Sequence, residues 1–161
     1  HWLAETLSSL AEARLCAMLT APTGKALWLS FTLEDDGATD ASALRSGESV
    51  AEAAYLAQEV GAAAPLFNCS QPEVMEAAIS SARAILGAQS AIRIGVYANA
   101  FPPMAADAKA NSELSPIRAD LTPEGYARFA AAWCAAGASI LGGCCGIGPE
   151  HIAALRTGVT A

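Results

Sequence analysis

Short apolar, β-prone runs alternate along the chain with longer stretches in which apolar residues recur at helical spacing. That alternation predicts βαβ units and a parallel sheet, because parallel strands need a long crossover and a helix is the usual one. Five strands are expected: Trp2 to Glu5, Ala26 to Thr32, Ala63 to Cys69, Ile92 to Ala98, and Ser139 to Cys144. Between them Leu7, Leu10, Ala11, Leu15 and Met18 fall on one helical face, as do Val50, Ala53, Ala54, Ala57 and Val60. Val74, Ala78, Ala82 and Ile85 repeat the spacing, and so do Tyr126, Phe129, Ala130 and Trp133. Each stripe would cover a sheet. Helices are expected to start where Ser70 precedes Gln71-Pro72-Glu73, Thr122 precedes Pro123-Glu124, and Gly148 precedes Pro149-Glu150. A cap or tight turn followed by proline suits a first helical turn. Gly61, Gly87 and Gly137 mark helix ends.

Two connections are long, Leu33 to Ser46 and Ala100 to Leu121. Loops of that length are functional or are tolerated surface insertions. Both follow strands, on the side where parallel α/β folds place their sites.

Composition narrows the class. With 161 residues and 53% hydrophobic content, the chain can bury the core of one ordinary domain. Nine Lys and Arg against sixteen Asp and Glu leave a net charge of -7. Such a surface repels phosphate backbones and anionic lipid, so neither nucleic acid nor membrane is an expected partner. No apolar run reaches the roughly 18 to 20 residues of a membrane-spanning helix, and no signal-peptide pattern opens the chain. The expected location is cytoplasmic. Because the chain begins with His1 rather than Met, we read it as a piece of a longer protein.

Five cysteines at irregular spacing, two of them adjacent, fit reduced thiols better than a disulfide framework. Cys144 and Cys145 close a strand-like run within Gly142-Gly143-Cys144-Cys145-Gly146, and Cys69 closes another within Asn68-Cys69-Ser70. Alternate strand residues face opposite sides, so both Cys144 and Cys145 can ligate one metal only where the backbone turns, which the glycines permit. Three thiolates with an open fourth position describe a catalytic zinc site. Buried small hydrophobes and a redox pair are the competing readings of the same residues. Cys16 and Cys134 sit in helical patterns and read as packing residues. His151 follows a helix start and His1 is terminal, so neither is expected to act in chemistry. Asn68-Cys69-Ser70 also matches a glycosylation acceptor, a common chance tripeptide that we set aside.

The Asn-Cys-Ser element and the later Gly142 to Ile152 stretch (Gly-Gly-Cys-Cys-Gly-Ile-Gly-Pro-Glu-His-Ile) resemble the zinc signature of the homocysteine S-methyltransferases. Leu3-Ala4-Glu5-Thr6, Ser9 to Ala13, Trp28 to Thr32 and Gly95 to Asn99 extend the resemblance over nearly the whole chain. It implies a (β/α)8 TIM-barrel fold in which three cysteine thiolates hold zinc and zinc holds the homocysteine sulfur. A methyl group then arrives from a sulfonium, betaine or folate donor. On this resemblance residues 1–161 are the last five βα units, the C-terminal portion of the barrel, with the N-terminal portion absent.

The implied site comprises Cys69, Cys144 and Cys145 as metal ligands, Glu5 as partner of the substrate ammonium group, and Asn68 as a substrate or supporting residue. Asn99 is a weaker candidate. The expected reaction moves a methyl group from a sulfonium donor such as S-methylmethionine to homocysteine, giving methionine. The alternative is a noncatalytic metal-binding or scaffold fragment. Homocysteine and a small methyl donor are the expected ligands. Open sheet edges lead us to expect a homo-oligomer or an N-terminal half-barrel partner.

Overall fold

The computed structural model describes residues 1–34, 42–103 and 116–158. Its strands are β1 (Trp2–Leu7), β2 (Leu27–Phe31), β3 (Ala64–Asn68), β4 (Gly95–Tyr97) and β5 (Ile140–Leu141). Between and after them run α1 (Leu10–Thr20), α2 (Val50–Glu59), α3 (Pro72–Leu86), α4 (Pro123–Ala136) and α5 (Pro149–Gly158), with a 3-10 turn at Ala21–Thr23. The strands form one parallel sheet in the order β1-β2-β3-β4-β5. Right-handed crossovers between strands taken in sequence order place every helix on the same face, and successive helices pack on one another from α1 to α5. This is an α/β fold consistent with a partial TIM-barrel-like domain.

Alternation along the strands sorts the two faces. Leu29, Phe31, Phe67 and Val96 join Ala13, Ala53, Ile79, Tyr126 and Trp133 in the core under the helices. Ser30, Asn68 and Tyr97 face the other way. There Asn68 on β3 donates to Thr6 on β1 at 3.0 Å, passing over β2. Strands lie about 4.8 Å apart, so a flat sheet would hold β1 and β3 near 9.6 Å, too far for two short side chains to meet. That face is therefore concave.

The strand at the open edge carries an irregularity. Ala4 pairs with Leu29 and Leu7 pairs with Phe31, so Glu5 and Thr6 together oppose the single residue Ser30. This is a β-bulge. It gives Thr6 a φ of 61°, a left-handed conformation that costs a β-branched residue roughly 1–3 kcal/mol. It also lets Leu7 return to the core after two polar residues.

The structure corrects several sequence expectations. β1 continues past Glu5 to Leu7, whereas β4 and β5 are shorter than expected because their flanks bend into turns. Leu7 belongs to β1, and a capping box between Ser9 and Glu12 starts α1 at Leu10. The sheet-facing arc then falls on Ala13 and Ala17, leaving Leu15, Met18 and Leu19 exposed. On α3 the buried stripe is Met75, Ala78, Ile79, Ala82 and Leu86, and Ile85 is exposed. Gln71, not Ser70, is the N-cap of α3. Ser70 is buried and instead accepts from the Leu33 amide at 2.8 Å.

Thr122 caps α4 as expected, accepting from Gly125. Of the two long connections, residues 35–41 and 104–115 lie outside the described residues. The remainder of the first is tied down: Leu33 and Leu44 are buried, and Glu48 accepts from the Leu10 amide at the start of α1. Among the described residues no helix is long and apolar enough to cross a membrane.

Tyr126, fully buried on α4, directs its hydroxyl at the carbonyls of Gly142 (2.9 Å) and Ala98 (3.3 Å), joining the helix layer to the ends of β5 and β4. Removing that hydroxyl as Tyr126→Phe is expected to cost about 1 kcal/mol. Urea unfolding should show it as a lower midpoint at unchanged slope.

Candidate metal centre

Cys69 follows the last residue of β3 in a left-handed conformation, φ 53°. Cys144 and Cys145 follow β5 across Gly142 and Gly143. The short tail of β4 binds both flanks. On one side Cys69 N donates to Tyr97 O (3.2 Å) and Asn99 N to Ser70 O (3.1 Å). On the other, Cys144 N donates to Ala98 O (3.0 Å) and Ala100 N to Cys145 O (2.8 Å). Glycine is required within this turn: a β-carbon at Gly143 would lie 2.1 Å from Ile147 Cγ2, and at Gly146, φ 78°, it would meet Ala100 Cβ at 2.9 Å.

The three sulfurs converge. Cys69 Sγ lies 3.8 Å from Cys145 Sγ, which lies 3.9 Å from Cys144 Sγ, and all three fall within 4.8 Å of one another. A tetrahedral ion with bonds of about 2.3 Å to sulfur holds its ligands about 3.8 Å apart, so the donor set and its spacing fit one such ion. The thiols also share protons unevenly. Hydrogen bonding from Cys69 pulls Cys144 down to about 6. That same bond and burial push Cys69 far up, and burial together with the Cys144 charge raises Cys145. One thiolate forms readily, and the next two are opposed by it. A cation removes that opposition.

The other sequence candidates fall into place around the sulfurs. Glu5 is exposed at the β1 bulge, and its charge raises the Cys144 thiol and the half-buried Tyr97 hydroxyl, so it borders the site. Asn68 is fully buried, accepting from Ser30 (2.8 Å) and donating to Thr6, which also removes it as a glycan acceptor. Asn99 is buried as well; its Nδ2 donates to Cys69 O at 2.9 Å and helps hold the left-handed turn. Cys16 and Cys134 lie half-buried on α1 and α4, away from the trio. His151 is structural: Gly148 N donates to its Nδ1, and its Nε2 faces Leu121 O at 3.0 Å.

Sequence reasoning missed the residues behind these. Arg118 is held by Glu73 and Asp120, each at 2.6 Å, and donates to Gln71 Oε1 at 2.7 Å. Gln71 Nε2 in turn reaches Asn99 Oδ1 at 3.4 Å. Ser30 and Tyr97 were also missed. Both lie in stretches that carry the family resemblance, and Ser30 also stands out as one polar residue inside the apolar run Leu27–Phe31, but neither was given a role.

The model of the homocysteine S-methyltransferase family matches residues 1–159. The chain belongs to this family. Three solved forms of the homocysteine methyltransferase MmuM from Escherichia coli are similar in structure. The apo form is 25% identical with a TM-score of 0.70, the match covering 97% of this chain and 49% of that one. The oxidized form gives 25%, 0.70, 96% and 44%, and the metallated form 26%, 0.69, 96% and 43%. The chain thus spans about half the length of these homocysteine methyltransferases. No curated protein matches it significantly. Together with the sulfur cluster, the metallated relative makes this a site suited to metal binding.

Metal binding must expel the thiol protons, so affinity should rise with pH. With Cys144 at about 6 and its neighbours raised, about two protons should leave per ion at pH 7. Calorimetry in buffers of different ionisation enthalpy gives that count; a value near three would show that Cys144 is not already a thiolate. Cys16→Ser and Cys134→Ser should leave metal content unchanged.

Proposed function

We propose that the chain is the metal- and homocysteine-binding part of a zinc-dependent methyltransferase, its five βα units forming the later portion of a (β/α)8 barrel. The observation that carries this reading is the trio of sulfurs within 4.8 Å of one another beyond the C-terminal ends of parallel strands, in a chain of this family. Cys69, Cys144 and Cys145 would hold the ion. When bound, zinc supplies the chemistry of keeping a fourth sulfur, that of homocysteine, deprotonated at neutral pH, where a free thiol with a pKa of about 8.5 is mostly protonated.

The remaining work falls to the protein. Glu5 receives the substrate ammonium group beside the sulfurs. Asn68 fixes the strand end that carries Cys69 and is the second substrate-binding candidate. A methyl group on a positively charged sulfur, as in S-methylmethionine, is open to direct displacement, and methionine is the product. No resident base is required, which agrees with His151 being engaged by Gly148 and Leu121. The reaction belongs in the cytoplasm, where the thiols stay reduced. The open edges of β1 and β5 and the exposed Leu15 and Leu19 of α1 suit contact with further βα units, from adjoining polypeptide or a second copy.

A noncatalytic metal-binding fragment would share the cysteines, so the test is substrate-dependent. X-ray absorption on the zinc-loaded chain should find the three protein sulfurs and one more when homocysteine is added. Cys145→Ala should abolish the added ligand and any transfer of labelled methyl from S-methylmethionine. An unchanged metal spectrum with homocysteine would reject the methyltransferase reading.

A further inference from the structure

The concave face carries a line of hydrogen bonds that the sulfur chemistry does not use. Tyr97 Oη donates to Ser30 Oγ at 2.6 Å, Ser30 Oγ donates to Asn68 Oδ1 at 2.8 Å, and Asn68 Nδ2 donates to Thr6 Oγ1 at 3.0 Å. It joins β4, β2, β3 and β1, and its middle members Ser30 and Asn68 are fully buried. Its direction is set by Asn68, whose carbonyl oxygen only accepts and whose amide nitrogen only donates.

The line ends beside Glu5. One end is Thr6, the left-handed half of the β1 bulge, whose other half is Glu5. A β-branched residue does not keep that conformation unaided, and the Asn68 amide is a side-chain anchor for it. The other end is the Tyr97 hydroxyl, whose one proton goes to Ser30; the Ser30 proton then goes to Asn68 Oδ1, which turns the Asn68 amide onto Thr6. The backbone that carries Glu5 is thereby held by one connected set of side chains. Resting on the homocysteine reading above, we propose that Tyr97, Ser30 and Thr6 are positioning residues that aim Glu5, so that the site selects thiols bearing an ammonium group.

The test compares homocysteine with 4-mercaptobutyrate, which keeps the thiol and carboxylate but lacks the ammonium group. Calorimetric titration uses the zinc-loaded chain as wild type, Glu5→Gln, Ser30→Ala and Tyr97→Phe. Tyr97→Phe changes a half-exposed hydroxyl and keeps the ring, so it serves where Ser30→Ala impairs folding. The two positioning variants should keep wild-type zinc content and bind 4-mercaptobutyrate within about twofold of wild type. Their homocysteine Kd should rise about tenfold, the effect of losing one well-placed charged hydrogen bond. Equal losses for both thiols, or none for homocysteine, in variants where Glu5→Gln does discriminate, overturn the positioning role alone. A wild type that fails to bind homocysteine, or a Glu5→Gln that treats the thiols alike, overturns the homocysteine reading and the positioning role with it.

Discussion

The site depends on the tail of β4. Residues 97–100 continue the hydrogen-bond ladder beyond the last strand pairs and serve as template for both neighbours, accepting from Cys69 and Cys144 and donating to Ser70 and Cys145. Without that shared template, ligands separated by 76 positions would be carried on two independent turns. Parallel polarity is what makes the arrangement possible, since it brings the C-terminal ends of β3, β4 and β5 to one edge of the sheet. Asn99 strengthens it from within, with a backbone amide on Ser70 and a side-chain amide on Cys69.

Around that template, cost and chemistry are coupled. Cys69 and Thr6 both adopt left-handed backbone, and they are the only non-glycine residues among those described to do so. Each is held by a buried asparagine, Asn99 for Cys69 and Asn68 for Thr6. Three thiols packed this closely cannot all ionise without a cation, and strained turns are tolerated only where their surroundings fix them. Rigid support and the demand for a positive ion therefore come from the same crowding.

Much of this was legible in the sequence. The five strands and their parallel alternation with helices follow from apolar runs and crossover logic, and the convergence of Cys69, Cys144 and Cys145 was expected from their places at strand ends together with the family resemblance. Helix phase was less legible: α1 turns small alanines to the sheet and leaves Leu15, Met18 and Leu19 outside, a choice fixed by the Ser9–Glu12 cap rather than by hydrophobicity. Long-range polar contacts were not legible. Arg118, Gln71 and Asn99 are linked through space across 47 and 28 positions, and nothing in their local sequence announces it. The concave face was equally hidden, because Ser30 and Tyr97 look like ordinary strand residues until curvature brings them together.

The bulge in β1 bears on how this family can vary. Strand alternation has two phases, and the extra residue switches from one to the other between Ala4 and Leu7. Loss of either Glu5 or Thr6 would leave Ala4 against Leu29, one residue against Ser30 and Leu7 against Phe31, a regular ladder with the same inside and outside. The extra residue is therefore not needed to fold the strand. It sets two neighbouring polar side chains where a regular strand would present one, so a homologue that lost it could keep its edge but would give up either the carboxylate or the anchor point that Asn68 holds.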